Sequence, residues 1–178
     1  MISEISSIEQ LKHNLNMGPG YGGYIDIFKA ISIPESDWSS HCKWNDEKYT
    51  RNCLTNSDEF ELLLMCWQSG QHSAIHSFNF QEGWIKVLKG ELTIDTFKID
   101  RESLSCEHEE SIVIKEGEYT YLNDNMGFHR VSASAKGQTV SLHLHAERVR
   151  EWEVFQDCKK EFTKVKPSYD SKSADCSE

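Results

Sequence analysis

From position 49 onward the chain breaks into a succession of short stretches with strand character, each bounded by glycine or polar turns, and this pattern limits the fold more than any other feature. The stretches run 61–67, 83–88, 92–99, 111–115, 119–122, 129–133 and 139–145. Many short strands at regular spacing point to a closed β architecture of the jelly-roll kind, in which few strand edges stay open. Lys89-Gly90-Glu91 and Glu116-Gly117-Glu118 read as hairpin turns. Ahead of the strands the periodicity is helical. Ile8, Leu11 and Leu15 follow Ser6 and Ser7 as possible caps, and Ile27, Phe28 and Ile31 follow a glycine-rich turn. The expectation is a fold that is all-β apart from N-terminal helices. A helical segment 1–48 packs outside a barrel spanning 49–160, apolar spacing fades after Glu151, and a polar tail 168–178 stays flexible and unstructured. With 178 residues, 38% of them hydrophobic, the chain suffices for one sizeable core, so 1–178 is read as a single domain.

Charge narrows the function. A net charge of -10 repels phosphate backbones, and the eight histidines are scattered rather than gathered in a basic stripe, which argues against nucleic-acid binding. No apolar run approaches the roughly 18 residues that span a bilayer, so no membrane partner is expected. The start Met1-Ile2-Ser3-Glu4-Ile5-Ser6 is acidic where a signal peptide would be basic, and the expected location is the cytoplasm. The six cysteines contain no Cys-x-x-Cys pair, which removes support for a zinc ribbon or a thioredoxin-like motif. They are read as reduced thiols.

Two histidines stand out. His129 ends the polar turn Asn123-Asp124-Asn125-Met126-Gly127-Phe128-His129, and His76 follows the glycine turn Gly70-Gln71-His72-Ser73-Ala74-Ile75. Together they suggest a mononuclear metal site inside the barrel. Ser141, His143 and His145 alternate with Leu142 and Leu144, so the three polar side chains share one strand face, read as the cavity face. Each has a plainer reading as well. A histidine at a strand end is often a hydrogen-bonded cap, an arginine such as Arg51 often a surface ion-pair partner, and an inward phenylalanine such as Phe78 often core filling.

Tyr49-Thr50-Arg51-Asn52, Gly70 followed by His76, Tyr121-Leu122-Asn123-Asp124 through Gly127-Phe128-His129-Arg130-Val131, and Ser141-Leu142-His143-Leu144 form four ordered blocks. In these blocks, from Trp38 to about His145, the chain resembles the cysteine dioxygenase (type I) family of the cupin superfamily, small iron enzymes that add dioxygen to the thiol of cysteine. The resemblance implies a cupin double-stranded β-helix, Fe(II) as cofactor, and a small thiol and dioxygen as partners. It also implies a monomer that oxidises L-cysteine to cysteine sulfinic acid. Arg51 takes the place of the arginine that grips the substrate carboxylate, with Tyr49 beside it. His76 and His129 match the first and third iron ligands, and the second falls on Phe78, which cannot bind a metal. Glu82, six residues beyond His76, is the first candidate to complete a two-histidine, one-carboxylate triad. His72, four before it, is the second, and water or nothing are the other options. Ser141 and His143 correspond to a hydrogen-bonded relay. Gly83 and His145 replace the cysteine and tyrosine that are cross-linked in some members, and His145 changes the acid–base group nearest the oxygen. Two alternatives stay open: a metal-free or metal-altered cupin that binds a small molecule, with Phe78 lining its pocket, and a dioxygenase for a different thiol.

Overall fold

The computed structural model describes residues 3–77, 81–123, 125 and 127–177. Its helices are α1 (Ile8–Asn16), α2 (Gly23–Ala30) and α3 (Glu35–Trp38), followed by one 3-10 turn, Ser39–His41. The strands are β1 (Thr50–Asn56), β2 (Phe60–Trp67), β3 (Ile75–His76), β4 (Glu82–Lys89), β5 (Glu91–Ile99) and β6 (Cys106–Lys115). They continue with β7 (Tyr119–Asn123), β8 (Phe128–Ala133), β9 (Thr139–Ala146), β10 (Trp152–Gln156), β11 (Glu161–Val165) and β12 (Ser171–Lys172). Two six-stranded sheets result, ordered β12-β1-β2-β9-β4-β7 and β11-β10-β3-β8-β5-β6. Among the described residues no helix is long and apolar enough to cross a membrane.

Ser7 caps α1 by accepting from the Gln10 amide, and Ile8, Leu11 and Leu15 form the buried stripe that the spacing predicts. That stripe, with Ile27 and Phe28 of α2, covers the outer face of the first sheet, where Phe60, Leu62 and Leu64 of β2, Leu142 and Leu144 of β9 and Trp84 of β4 point. Each such side chain contributes roughly 1.5–3 kcal/mol of burial, an upper bound because the unfolded chain already hides some of its surface. Lys86, on the same face of β4, donates to the Phe28 carbonyl in the last turn of α2, which also accepts from the Ile31 amide at the helix C-terminus. The opposite face of the first sheet sends Leu63, Met65, Trp67, Ile85 and Val87 into the space between the sheets, where they meet Leu92, Ile94, Ile114 and Val131.

Three expectations are corrected. Lys89-Gly90-Glu91 and Glu116-Gly117-Glu118 do turn the chain, yet neither closes a hairpin. β4 pairs with β7 and β9 while β5 pairs with β6 and β8, so at Gly90 the chain crosses from one sheet to the other, and at Gly117 it crosses back. A glycine with positive φ serves a corner as well as a reversal, and the local signal does not separate the two. β10 falls within the expected barrel span 49–160, and its hairpin with β11 carries the pairing on to Val165.

The polar tail is the second correction, and the cysteines are the third. β12 lies parallel to β1, Asp170 exchanges hydrogen bonds with the Arg51 backbone, and Asp175 reaches Lys12 on α1 at 2.8 Å. Cys53 and Cys176 form a disulfide, so these two are not the reduced thiols expected. Their separation of 123 residues hides a Cα–Cα distance of 6.3 Å that only the folded chain creates.

Gly90 carries the clearest test of the corner. Its φ is 82°, and an added Cβ would lie 2.6 Å from Thr139 Oγ1 and 2.8 Å from the Gln138 carbonyl oxygen. Gly90→Ala should therefore cost about 1–3 kcal/mol in urea unfolding. A loss below roughly 0.5 kcal/mol, the size of an ordinary surface change, would show that the corner is not constrained in this way.

Candidate active site

His76 of β3 and His129 of β8 stand directly opposite each other on paired strands, with ring centroids 4.4 Å apart. Facing residues on antiparallel strands project to the same side, which brings both imidazoles into the space between the sheets. The loop before β3 is pinned to β8 through Ser73, whose amide donates to the Val131 carbonyl at 2.8 Å and whose Oγ accepts from the Val131 amide at 3.0 Å. His76 Nδ1 lies 2.9 Å from the Ala74 carbonyl oxygen. A carbonyl only accepts, so Nδ1 carries the proton and Nε2 keeps its lone pair, the tautomer of a metal-ligating histidine. Burial pushes the His76 pKa down to about 4, with Arg51 and His145 adding to the effect against the Ala74 bond. Burial, then His76 itself, holds His129 well below its ordinary value despite a bond to the Gly127 backbone. Both rings are neutral at pH 7.

The opposite wall is β9. Ser141, His143 and His145 share its inner face as the alternation predicts, facing Met65, Leu63 and Glu61 of β2. Trp67 Nε1 donates to Ser141 Oγ at 3.0 Å, and Ser141 Oγ lies 2.9 Å from His143 Nε2. The indole uses one serine lone pair and leaves the hydroxyl proton available to His143. Burial, and after it His145 and Arg51, keeps His143 well below its usual pKa.

Arg51 enters from β1, and here the structure adds a residue that the sequence reading missed. Its Nη2 lies 2.9 Å from Oε1 of Glu61, and the two side chains are 6% and 0% exposed. Glu61 Oε1 is also 3.7 Å from His145 Nδ1, longer than a tight hydrogen bond. Burial pushes the Glu61 carboxyl up, but His145 and Arg51 more than offset this and hold it below the usual carboxylate value. The Arg51 guanidinium stacks 4.9 Å above Trp152, which is itself 4.9 Å from the His76 ring. Trp152 thus joins the two halves of the site, from a strand that fading apolar spacing concealed. Glu61 did leave a signal: it is the one charged residue between apolar neighbours in Phe60-Glu61-Leu62-Leu63, at the same parity as Leu63, Met65 and Trp67. Nothing in the sequence marks Ser73.

These walls surround a small cavity of about 20 Å3, lined among others by Tyr49, Arg51, Trp67, His76, His143 and His145. Tyr49 stacks on Trp67 with centroids 4.4 Å apart, and burial raises its phenol pKa. Neither candidate for the missing ligand reaches the cavity. In β4 it is Ile85 and Val87 that face inward, so Glu82 is turned out by the two-residue period, exposed and accepting from Tyr121 Oη at 2.6 Å. His72 fails because β3 does not extend back to it; it is exposed, with Nδ1 3.0 Å from the Ser73 carbonyl. Phe78 lies outside the described residues. Among the described residues no group of three or more His, Cys, Asp or Glu side chains is placed to hold a metal ion. Two buried neutral imidazoles fit two coordination positions, which leaves the others to solvent or substrate atoms.

Facing sheets with a histidine-lined cavity between them define a cupin. Two solved structures agree in fold: a Thermus thermophilus protein with a TM-score of 0.51 and 17% identity covers 63% of this chain and 95% of its own. A Klebsiella pneumoniae protein with a double-stranded β-helix domain has a TM-score of 0.50 at 11% identity, covering 61% and 80%. Sequence goes further. The model for cysteine dioxygenase type I matches residues 24–157, and the chain belongs to that family. Cysteine dioxygenase type 1 of Homo sapiens is 31% identical over 123 residues, 67% of this chain and 62% of that protein. The Danio rerio protein of the same name is 29% identical over 138 residues, 75% and 66%. The chain thus spans a little under two thirds of the human relative.

The buried imidazoles make a prediction about pH. The folded pKa of His76, about 4, lies below its unfolded value of 6.5, and those of His129 and His143 are depressed too. The unfolded chain therefore binds protons first as pH falls, so stability is level above the unfolded value and declines below it. Urea unfolding of metal-free protein should lose up to roughly 1.4 kcal/mol per pH unit from His76 between pH 6.5 and 4, with His129 and His143 adding losses below their ordinary value. Glu61 adds its loss only below its ordinary 4.5. Constant stability from pH 7 to 5 would mean that the rings are not buried neutral.

Proposed function

We propose that this protein is a thiol dioxygenase that converts a small thiol of the cysteine type to the sulfinic acid. The observation that carries the reading is the convergence of His76 and His129 beside the Trp67–Ser141–His143 chain, in a member of the cysteine dioxygenase family. Ferrous iron on the two imidazoles would supply a redox-active Lewis acid that favours the thiolate of a bound thiol. The protein's own groups do the rest. Trp67, Trp152 and Tyr49 wall off water, and Arg51 addresses the polar end of the substrate. His143, fixed through Nε2 by Ser141, is placed to hold or move a proton, and His145 stands next to it on the same strand face. Both oxygen atoms of one dioxygen end on sulfur, which gives up four electrons to them, so the conversion of a thiolate to a sulfinate needs no further reductant.

A second reading has its own support. Phe78 occupies the family's second ligand position, and neither Glu82 nor His72 turns inward, which suits a metal-free module that binds a small molecule. Anaerobic loading with ferrous iron separates the two. The dioxygenase reading expects about one iron per chain, lost in His129→Ala, and Phe78→His should tighten it. His143→Ala should keep the iron and slow thiol-dependent oxygen uptake about 10²–10⁴-fold. A chain that takes no iron yet binds a thiol would overturn the dioxygenase and establish the module.

A further inference from the structure

Glu61 has no place in the chemistry just described, yet it is fully buried against the guanidinium that lines the cavity. We infer that Glu61 takes the place of a substrate carboxylate on Arg51, so that the pocket selects small thiols whose polar end is uncharged. The inference rests on the thiol reading above and names the substrate class within it.

The argument is one of charge. Arg51 and Glu61 neutralise each other at 2.9 Å out of water. A carboxylated thiol reaching Arg51 would bring a second anion into the same dry space. It would either displace Glu61, leaving a buried carboxylate without its counter-charge, or sit beside it as a like charge; both are costly at low dielectric. Hydrogen-bonding capacity is a separate matter. A guanidinium has five donors, and Arg51 Nε has no hydrogen-bond partner among the described residues. A neutral carbonyl or hydroxyl oxygen accepts from such a donor without adding charge. Trp152 covers the guanidinium with a flat apolar ring.

The test compares L-cysteine with L-cysteinamide, which differ at that one group. Binding to the full chain, iron-loaded without oxygen and iron-free, is followed by calorimetry, with oxygen uptake as a parallel readout. Wild type should favour the amide by at least about tenfold, and Glu61→Gln should shift the ratio toward cysteine by a similar factor. Equal or tighter binding of cysteine by wild type overturns the inference, as does a ratio that Glu61→Gln leaves unchanged. If the variant does not fold, the wild-type ratio decides alone. If neither thiol binds, the thiol reading falls and takes this inference with it; if both bind and the ratio ignores Glu61, the inference alone falls.

Discussion

The two-residue period of β2 and β9 governs the rest of the molecule. These strands lie side by side in the first sheet, with apolar side chains on both faces of β2 and on one face of β9. One face, with Leu62 opposite Leu144 and Leu64 opposite Leu142, takes the helices. The other, with Glu61 opposite His145, Leu63 opposite His143 and Met65 opposite Ser141, becomes the cavity wall. A slip of one residue would put the leucines in the cavity and the polar row under α1 and α2, where no partners wait for it. The apolar contact with the helices therefore fixes the chemistry on the far side of the sheet.

Placing charge in that wall is costly, and the structure handles the cost in two ways. The imidazoles stay neutral because desolvation outweighs their hydrogen bonds. Glu61 stays charged because His145 and the Arg51 guanidinium, 2.9 Å away, outweigh its burial. Such a pair adds little net stability over an apolar one, but losing either member leaves a bare charge inside. Arg51 is also held by its backbone, through Asp170 of the tail. The tail is thus part of what positions the guanidinium.

Much of the fold was legible in the sequence. The strands from 61 to 145, the capped helix at Ile8 and the inward row Ser141, His143, His145 followed from periodicity, because burial on a defined face leaves a defined pattern. The pairing of His76 with His129 followed from family-like blocks rather than from any local rule. What escaped lay beyond local pattern. Whether Gly90 closes a hairpin depends on where the next strand finds a partner, and Cys53 meets Cys176 only after both sheets have formed. Glu82 was placed by analogy of spacing, and strand parity sends it outward. Glu61 has no motif to mark it, and its only signal is a lone charge among apolar neighbours on a strand with no wet face.

The corners at Gly90 and Gly117 have a kinetic consequence. Because they carry the chain between sheets, β2 finds its partner β9 only after every strand from β3 to β8 has been laid down. The pairing that carries Glu61 and His145 is therefore among the last that a growing polypeptide can make. Such distant pairings are slow, since loop closure must come before any contact rewards it. Until then β2, with its run of leucines, has β1 along one edge and nothing along the other. A chain emerging from the ribosome would hold that leucine-rich edge unpaired until β9 has been made.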